Sequence, residues 1–383
     1  MTDRRSWGRR LAGLALRVLI PLVITALAAG LGYAFAVYPI WYHVDQVRKT
    51  ETLGGLVSIV DARKQFLGAF FDDSGVDPKA FDEIAWAVKT VMTPFVGYAP
   101  APGQQHNAYI NPFQFRTRGE PAMPKPPGVT RIFLTGASVA FSAGAPDDQR
   151  TIGGYLQSLL DRRDTGSGHR YEVFTFAAPA WSSTHERIAI ENRLSDLQPD
   201  LVVELTGIGD ALYGERGHNV LWARAVTDQY YWDLVNIALR RAGFAPMADV
   251  QDASSERVPP ELVAARLQKN VRLASGALSL VNARLHVFLQ PALVTTDKAL
   301  TLHEKGLRFS KSGYFTDPEY YKDCYQRIGA LLGDGGVPAN AAFTNLAGLF
   351  DQVPATQDIF LDGCHFADRG SFLIAQAIAE TVP

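Results

Sequence analysis

The sequence feature that most constrains the fold is a run of 21 residues without a charge, from Val18 to Tyr38. A helix of about 20 apolar residues crosses the hydrocarbon core of a bilayer, because each residue adds about 1.5 Å of length. The run therefore predicts a single transmembrane helix near the N-terminus, with the lipid bilayer as its partner.

Charge and aromatic residues predict the orientation of this helix. Basic flanks stay in the cytoplasm, and aromatic residues concentrate where a helix leaves the membrane. The preceding arginines are Arg4, Arg5, Arg9, Arg10 and Arg17, and the aromatic residues at the far end are Tyr33, Phe35, Tyr38, Trp41 and Tyr42. We expect a single-pass protein of the inner (cytoplasmic) membrane, with a cytoplasmic N-terminus and a periplasmic or extracellular main domain.

A cleaved signal peptide is the alternative interpretation of the same segment. Ala26-Leu27-Ala28 and Ala34-Phe35-Ala36 both have the small-x-small pattern of a cleavage site. The apolar length and the aromatic flank favour an uncleaved anchor. Both interpretations place the rest of the chain outside the cytoplasm.

The charge balance argues against nucleic acid as a partner. The formal net charge is −2, and the first 17 residues carry a local charge of +4, which leaves −6 for the remainder. Binding to a phosphate backbone requires clustered Lys and Arg side chains, which a mildly acidic domain does not supply.

Changes in composition and in the pattern of apolar residues along the chain predict four segments. Residues 1–42 form the basic tail and anchor, and residues 43–98 are predicted as a helical stem or cap. Residues 99–130 are rich in proline, which interrupts both helices and sheets, and are predicted as an ordered loop. Residues 131–383 form the main domain, with a helical insertion at about 213–285.

The main domain alternates apolar strands with helices, which predicts a parallel sheet covered on both faces. The fold class is therefore α/β, a three-layer α/β/α arrangement with a flavodoxin-like sheet. The predicted strands are Arg131 to Thr135, Tyr171 to Phe176, Leu201 to Leu205, His286 to Gln290 and Ala342 to Leu346. Ser183 and Glu186 are predicted to form a capping box for the helix that follows the second strand.

Three short polar elements lie after predicted strands or before the last predicted helix. They are Thr135-Gly136-Ala137-Ser138, Gly207-Ile208-Gly209-Asp210 and Asp362-Gly363-Cys364-His365. Ligands in parallel α/β folds bind beyond the carboxyl ends of the strands. The elements supply a serine, a histidine and an acid, the three roles needed for hydrolysis through an acyl-enzyme.

With these elements the chain resembles the SGNH (GDSL-like) hydrolase family from about Asn111 to the C-terminus. The resemblance implies that Ser138 is the nucleophile, His365 the general base and Asp362 the acid that orients it. It also implies an oxyanion hole of backbone N–H groups at Ser138 and Ala180. Gly209 stands where the family has an asparagine donor.

Asp210 and Gly207 are possible supporting residues of this site. Two interpretations of Asp210 stay open: it contacts the site, or it caps the helix that follows its loop. His185 is predicted on a helix surface beside Glu186. Glu204 is predicted either to pair with a basic residue or to lie at the end of the sheet.

The resemblance implies an exported serine esterase acting on O-acyl groups, with O-acetyl groups of envelope glycans or lipids expected from the location. An O-acetyltransferase that uses the same triad is one alternative. A catalytically degenerate domain that serves as an accessory subunit of a membrane complex is the other, and either one would bind further membrane proteins.

No cofactor is expected, and no metal site, because the histidines lack paired metal-ligand spacing. An oxidising compartment would permit a disulfide between Cys324 and Cys364. Two free buried cysteines are the alternative, and the sequence leaves both open.

Overall fold

The computed structural model describes residues 17–38, 90–105, 108–164, 168–217, 235–246, 256–308, 315, 317–333 and 335–383. The chain divides into two compact units, residues 1–50 with 227–248, and residues 51–226 with 249–383. The predicted stem at 43–98 lies outside the described residues as far as residue 89, as does much of the predicted insertion at 213–285.

The first unit contains helix α1, Arg17–Tyr38, with a mean hydropathy of 2.1. Its length and composition suit a helix that crosses a membrane, and equally a signal sequence near an N-terminus. The apolar helix is therefore confirmed, and its orientation and membrane stay predictions.

The second unit is built on a five-stranded sheet. Its strands are β5 (Val129–Gly136), β6 (Arg170–Ala177), β7 (Leu201–Thr206), β8 (Arg284–Leu289) and β9 (Ala341–Asn345). Their order in the sheet is β6-β5-β7-β8-β9, and every neighbouring pair is parallel. Renumbered along the sheet this is the order 2-1-3-4-5 of flavodoxin-like folds. The predicted α/β fold class is confirmed.

Helices cover both faces of the sheet. They are α2 (Ile152–Arg163), α3 (Ser183–Ala189), α4 (Ile208–Glu215), α5 (Pro260–Ser279), α6 (Leu302–Arg308), α7 (Pro318–Gly333) and α8 (Asp368–Ala379). Helices α2 and α8 pack together, and α5 packs against α3, α4 and α7. This grouping is the one that right-handed crossovers produce, and it leaves strands β5, β7 and β8 buried.

Two antiparallel hairpins precede the sheet, and they correct the prediction for this part of the chain. Strand β1 (Thr90–Thr93) and the first two residues of β2 (Gly97–Pro100) lie where a helix was predicted, and the rest of β2 lies in the predicted loop together with β3 (Gly103–Gln105) and β4 (Ala108–Ile110). Strands of three or four residues are too short to show a clear alternation of apolar and polar positions. Val96 and Tyr98 are nevertheless buried in the main core.

The capping box of α3 is also corrected. Ser182, not Ser183, is the N-cap, and the residue that completes the box is His185, whose Nδ1 accepts from the Ser182 N–H at 3.2 Å. His185 is therefore not a surface residue. Its ring stacks on Trp181, and desolvation lowers its pKa to about 4, so it stays neutral near pH 7.

A buried ion pair ties the loop before α6 to the segment that leads into the last polar element. Lys298 and Glu304 are 2.6 Å apart, and both side chains are inaccessible to solvent. Glu304 also accepts hydrogen bonds from the backbone N–H groups of Thr301, Ile359 and Phe360. Four donors on one carboxylate offset the cost of burying it.

Replacing one partner of this pair should be strongly destabilising. We expect Lys298→Met to lower the free energy of unfolding by about 3–5 kcal/mol, because the buried Glu304 loses its cationic partner. Chemical denaturation of the purified protein measures the change. Lys322→Met is the matched control, since Lys322 pairs with Glu319 on the surface and should change stability by less than about 1 kcal/mol. Equal effects of the two variants would contradict the expectation.

Candidate active site

Ser138 lies just beyond the carboxyl end of β5, at the edge where ligands bind in this fold class. The strand ends at Gly136, which has a φ of +152°, a backbone conformation that favours glycine. A Cβ at Gly136 would lie 2.4 Å from the Leu205 carbonyl oxygen and 2.6 Å from the Ala140 Cβ. The close approach of β7 at this point turns the chain sharply and leaves Ser138 half-buried.

Arg116 holds the loop that follows Ser138. Its guanidinium is buried, donates to the carbonyl oxygens of Phe141 and Ser142 at 2.9 Å each, and pairs with Asp148 at 3.2 Å. Ser142 in turn accepts from the N–H of Ile152, the first residue of α2. The loop carrying Ser138 is thus fixed by a charged group that reaches it from the segment before the sheet.

His365 and Asp362 lie in a tight loop before α8. Phe360 and Phe366 bridge its base, and the Leu361 N–H donates to the His365 carbonyl oxygen at 2.8 Å. Asp362 Oδ1 accepts from the N–H groups of Cys364 and His365, both at 2.8 Å. These backbone bonds leave Asp362 Oδ2 to face the imidazole ring.

The three predicted residues form one continuous hydrogen-bonded chain. His365 Nε2 lies 2.7 Å from Ser138 Oγ, and His365 Nδ1 lies 2.7 Å from Asp362 Oδ2. Burial alone would raise the pKa of Asp362, but the charge and hydrogen bond of His365 and the two backbone N–H groups lower it below its ordinary value. An ionised Asp362 accepts a hydrogen bond from the Nδ1–H, which leaves Nε2 facing the Ser138 hydroxyl as the acceptor of its proton.

Both cysteines, Cys324 and Cys364, are free and buried, so the alternative of an unpaired state applies. The Cys364 sulfur lies 3.6 Å from His365 Nδ1. With Asp362 these side chains place three potential metal-ligand atoms within 4.8 Å of one another, the one such group in the described part of the chain. His365 is hydrogen-bonded to both Asp362 and Ser138. These bonds account for the positions of Asp362 and His365 without a metal ion.

Ala180 lies beyond the carboxyl end of β6, next to the Ser138 loop. Strands β5 and β6 are paired as far as Gly136 and Ala177, and the Ala178 N–H donates to the Gly136 carbonyl oxygen at 3.3 Å. Ala180 is exposed and has a φ of +60°. Among the described residues the N–H groups of Ser138 and Ala180 donate to no backbone carbonyl outside the helices and strands, which leaves both as candidate donors to an anion.

Gly209 lies close to this loop but contributes no side-chain donor. A Cβ at Gly209 would lie 2.4 Å from the Trp181 carbonyl oxygen and 3.4 Å from the Ser182 Cα. The backbone after Ala180 therefore occupies the space that an asparagine side chain would need. Gly207, with a φ of +116°, starts α4 and packs against Leu289, which is a structural role.

Asp210 has a supporting position, although it does not cap its own helix. Its carboxylate accepts from the Ser183 N–H at 2.9 Å and from the Ser183 hydroxyl at 2.6 Å. Asn270 of α5 donates to the same hydroxyl at 2.8 Å. Asp210 thus holds the start of α3, three residues after Ala180.

Glu204 neither pairs with a basic residue nor lies at the end of the sheet. Its side chain is completely buried in the middle strand β7 and faces Glu186 of α3. Within the described ranges neither side-chain oxygen of Glu204 has a hydrogen-bond partner, and Glu186 Oε2 has none. Desolvation raises the pKa of Glu204 to about 7, and desolvation with the charges of Glu204 and Asp210 raises the pKa of Glu186. The two carboxyls are stable together only when they hold at least one proton.

Tyr98 and Tyr213 carry no recognisable signal in the sequence. Arg116 lies in the segment that resembles the family, but nothing near it indicates its contacts with Phe141, Ser142 and Asp148. The two tyrosines are described below, because they contact the loop of Ala180.

The carboxyl pair should make stability depend on pH. Because the folded-state pKa of Glu204 is above the ordinary value of about 4.3, its contribution is complete below that value and is lost as pH rises through about 7. We expect the free energy of unfolding to fall between pH 5 and pH 8 in the parent and to fall less in Glu204→Gln. Denaturant titrations at four pH values test this. Glu319→Gln, which removes an exposed carboxylate, should leave the parent slope unchanged, and an unchanged slope in Glu204→Gln would refute the explanation.

Restoring an asparagine at position 209 should damage the site. We expect Gly209→Asn to lower the free energy of unfolding by about 1–3 kcal/mol, because the new side chain overlaps the Trp181 carbonyl. Gly276→Asn is the control, since no atom lies within 4 Å of a Cβ at Gly276. Denaturation midpoints compare the two variants, and a Gly209→Asn protein as stable as the parent would show that the loop can move aside.

No protein-family model and no curated protein matches this chain. Among solved structures the chain is similar to TesA (15% identity, TM-score 0.37, covering 66% of this chain and 97% of that one). It is also similar to LAE5, an alpha/beta hydrolase enzyme from the metagenome of Lake Arreo, Spain (13%, 0.39, 66% and 94%), and to the acetyl xylan esterase AlAXEase (14%, 0.38, 66% and 100%). At TM-scores this low the likenesses carry no argument about activity, and the fold class rests on the order and register of the strands.

Proposed function

We propose that this chain is an exported serine esterase of the SGNH type that removes O-acyl groups, and O-acetyl groups in particular, from envelope glycans or lipids. The observation that carries the proposal is the chain of two 2.7 Å hydrogen bonds from Ser138 through His365 to Asp362. A hydroxyl, a base and an orienting carboxylate, hydrogen-bonded in that order, are the parts of an acyl-transfer site.

In the first step Ser138 Oγ attacks the ester carbonyl carbon while His365 Nε2 takes the hydroxyl proton. Asp362 stabilises the imidazolium that forms, which its lowered pKa favours because it stays ionised. The carbonyl oxygen becomes an oxyanion that accepts from the free N–H groups of Ser138 and Ala180. Collapse of this intermediate expels the alcohol, which takes the proton from His365.

In the second step water attacks the acyl-Ser138 ester, and His365 again takes and returns a proton. A sugar hydroxyl in place of water would complete an acyl transfer with the same residues. The chemistry at Ser138 is identical in the two cases, so hydrolase and transferase differ only in which acceptor reaches the acyl-enzyme.

The proposed substrate class follows from location. Helix α1 is long and apolar enough to anchor the chain in a membrane, and five arginines at its start favour a cytoplasmic N-terminus. A domain tethered outside the cytoplasm meets acylated glycans and lipids of the envelope. The bilayer and these substrates are therefore the proposed partners, with further membrane proteins for a transferase.

A second candidate function is a non-catalytic SGNH-like domain that serves a membrane complex. The observation in its favour is Gly209, where the packing of the Trp181 carbonyl excludes the asparagine donor. Loss of one oxyanion donor lowers turnover by about 10²- to 10³-fold. The labelling experiment below separates the two candidates.

Ser138 should react with a fluorophosphonate probe, because such probes form a bond only with an activated serine. We expect the purified parent to be labelled stoichiometrically and Ser138→Ala not to be labelled. Intact-mass spectrometry and in-gel fluorescence measure the adduct. Ser158→Ala, which removes a hydroxyl on the exposed face of α2, should be labelled like the parent.

Circular dichroism and thermal unfolding of all three proteins establish that they are folded. Labelling that persists in Ser138→Ala would exclude Ser138 as the nucleophile. A folded parent that is not labelled would favour the non-catalytic candidate.

A further inference from the structure

The loop Ala178 to Ser182, here called the oxyanion loop, contains a residue with an unfavourable backbone conformation. Ala180 has a φ of +60°, a region that costs a residue with a Cβ about 1–2 kcal/mol. Glycine adopts this conformation without that cost. A non-glycine residue persists there only when its surroundings hold it, and the hydrogen bonds on either side of Ala180 do so.

Two tyrosine hydroxyls bind the two peptide groups that flank Ala180. The Tyr98 hydroxyl donates to the Pro179 carbonyl oxygen at 2.6 Å, and the Tyr213 hydroxyl donates to the Ala180 carbonyl oxygen at 2.7 Å. The Trp181 indole N–H completes the link by donating to the Tyr98 carbonyl oxygen at 3.2 Å. Tyr98 comes from hairpin β1–β2 and Tyr213 from α4, so the loop is fixed from two sides.

The bond from Tyr98 sets the direction of the Ala180 N–H. The peptide between Pro179 and Ala180 is trans, since the one cis bond in the described residues is Met123–Pro124. In a planar trans peptide the C=O and the following N–H point in opposite directions. Holding the Pro179 carbonyl against Tyr98 therefore turns the Ala180 N–H to the opposite side, away from Tyr98.

We propose that Tyr98 is a positioning residue of the oxyanion hole, and that hairpin β1–β2 belongs to the active site for this reason. The inference rests on the proposed esterase function and adds the residue that aims one of its two oxyanion donors. Without the Tyr98 hydroxyl the peptide plane can rotate and relieve the φ of Ala180, and the N–H then leaves the oxyanion. Tyr98 is buried and its hydroxyl is bonded to the loop, so we expect its loss to leave binding of the ground state unaffected.

The test compares Tyr98→Phe with Tyr171→Phe, using p-nitrophenyl acetate as the ester and phenylboronic acid as a tetrahedral analogue. Tyr171 is also buried, and its hydroxyl accepts a hydrogen bond from Arg163. It lies near the start of β6, at the opposite end of that strand from the oxyanion loop. We expect kcat of Tyr98→Phe to fall about 10- to 100-fold. KM should stay unchanged, and the pH profile of kcat/KM should keep its shape. The affinity for phenylboronic acid should fall by a comparable factor. Tyr171→Phe should retain the parent values.

Thermal unfolding of both variants separates positioning from stability, because each removes the hydrogen-bonded hydroxyl of a buried tyrosine. A fall in kcat no larger than in Tyr171→Phe would overturn the inference, as would an unchanged affinity for phenylboronic acid. An active parent with an equally active Tyr98→Phe overturns the role of Tyr98 alone. A parent that neither turns over the ester nor binds the boronic acid overturns the proposed function and this inference together.

Discussion

The close packing of backbone at the carboxyl edge of β5, β6 and β7 is the constraint on which the rest of the site depends. Gly136 turns against the Leu205 carbonyl, and Gly209 lies against the Trp181 carbonyl. At both places a single Cβ would overlap a backbone oxygen. The loops that leave neighbouring strands are therefore packed closely together, backbone against backbone.

The parts of the structure that local sequence predicts are those whose signal is local. Continuous apolar runs mark β5 and β7, and Ser138, Asp362 and His365 stand in short elements at the ends of strands or before a helix. Hairpin β1–β2 was predicted as helix because four-residue strands give no clear period. Tyr98 was not predicted as a site residue at all, since its partner Pro179 is 81 residues away and nothing near either residue indicates the contact.

Glu204 shows the same limit for electrostatics. A glutamate in an apolar strand predicts a partner, and the ordinary partner of a buried carboxylate is a basic side chain. The structure supplies another acid, Glu186, which the sequence places on a helix that only the crossover brings over β7. A shared proton can replace a cation in this role, because protonation removes the charge that burial penalises. The core beneath the oxyanion loop is thus held by groups whose charge depends on pH.

The glycine at position 209 changes what the oxyanion hole requires of its neighbours. An asparagine side chain would bring its own donor to the oxyanion and would tolerate some movement of the backbone N–H groups. Here the loop itself fills that space, so in the proposed esterase the oxyanion would be stabilised by two backbone donors, at Ser138 and Ala180. The direction in which a backbone N–H group donates is set by the orientation of its peptide plane. The hydrogen bonds of Tyr98 and Tyr213 fix those planes around a residue that would otherwise relax, and they come from outside the strands that carry the triad.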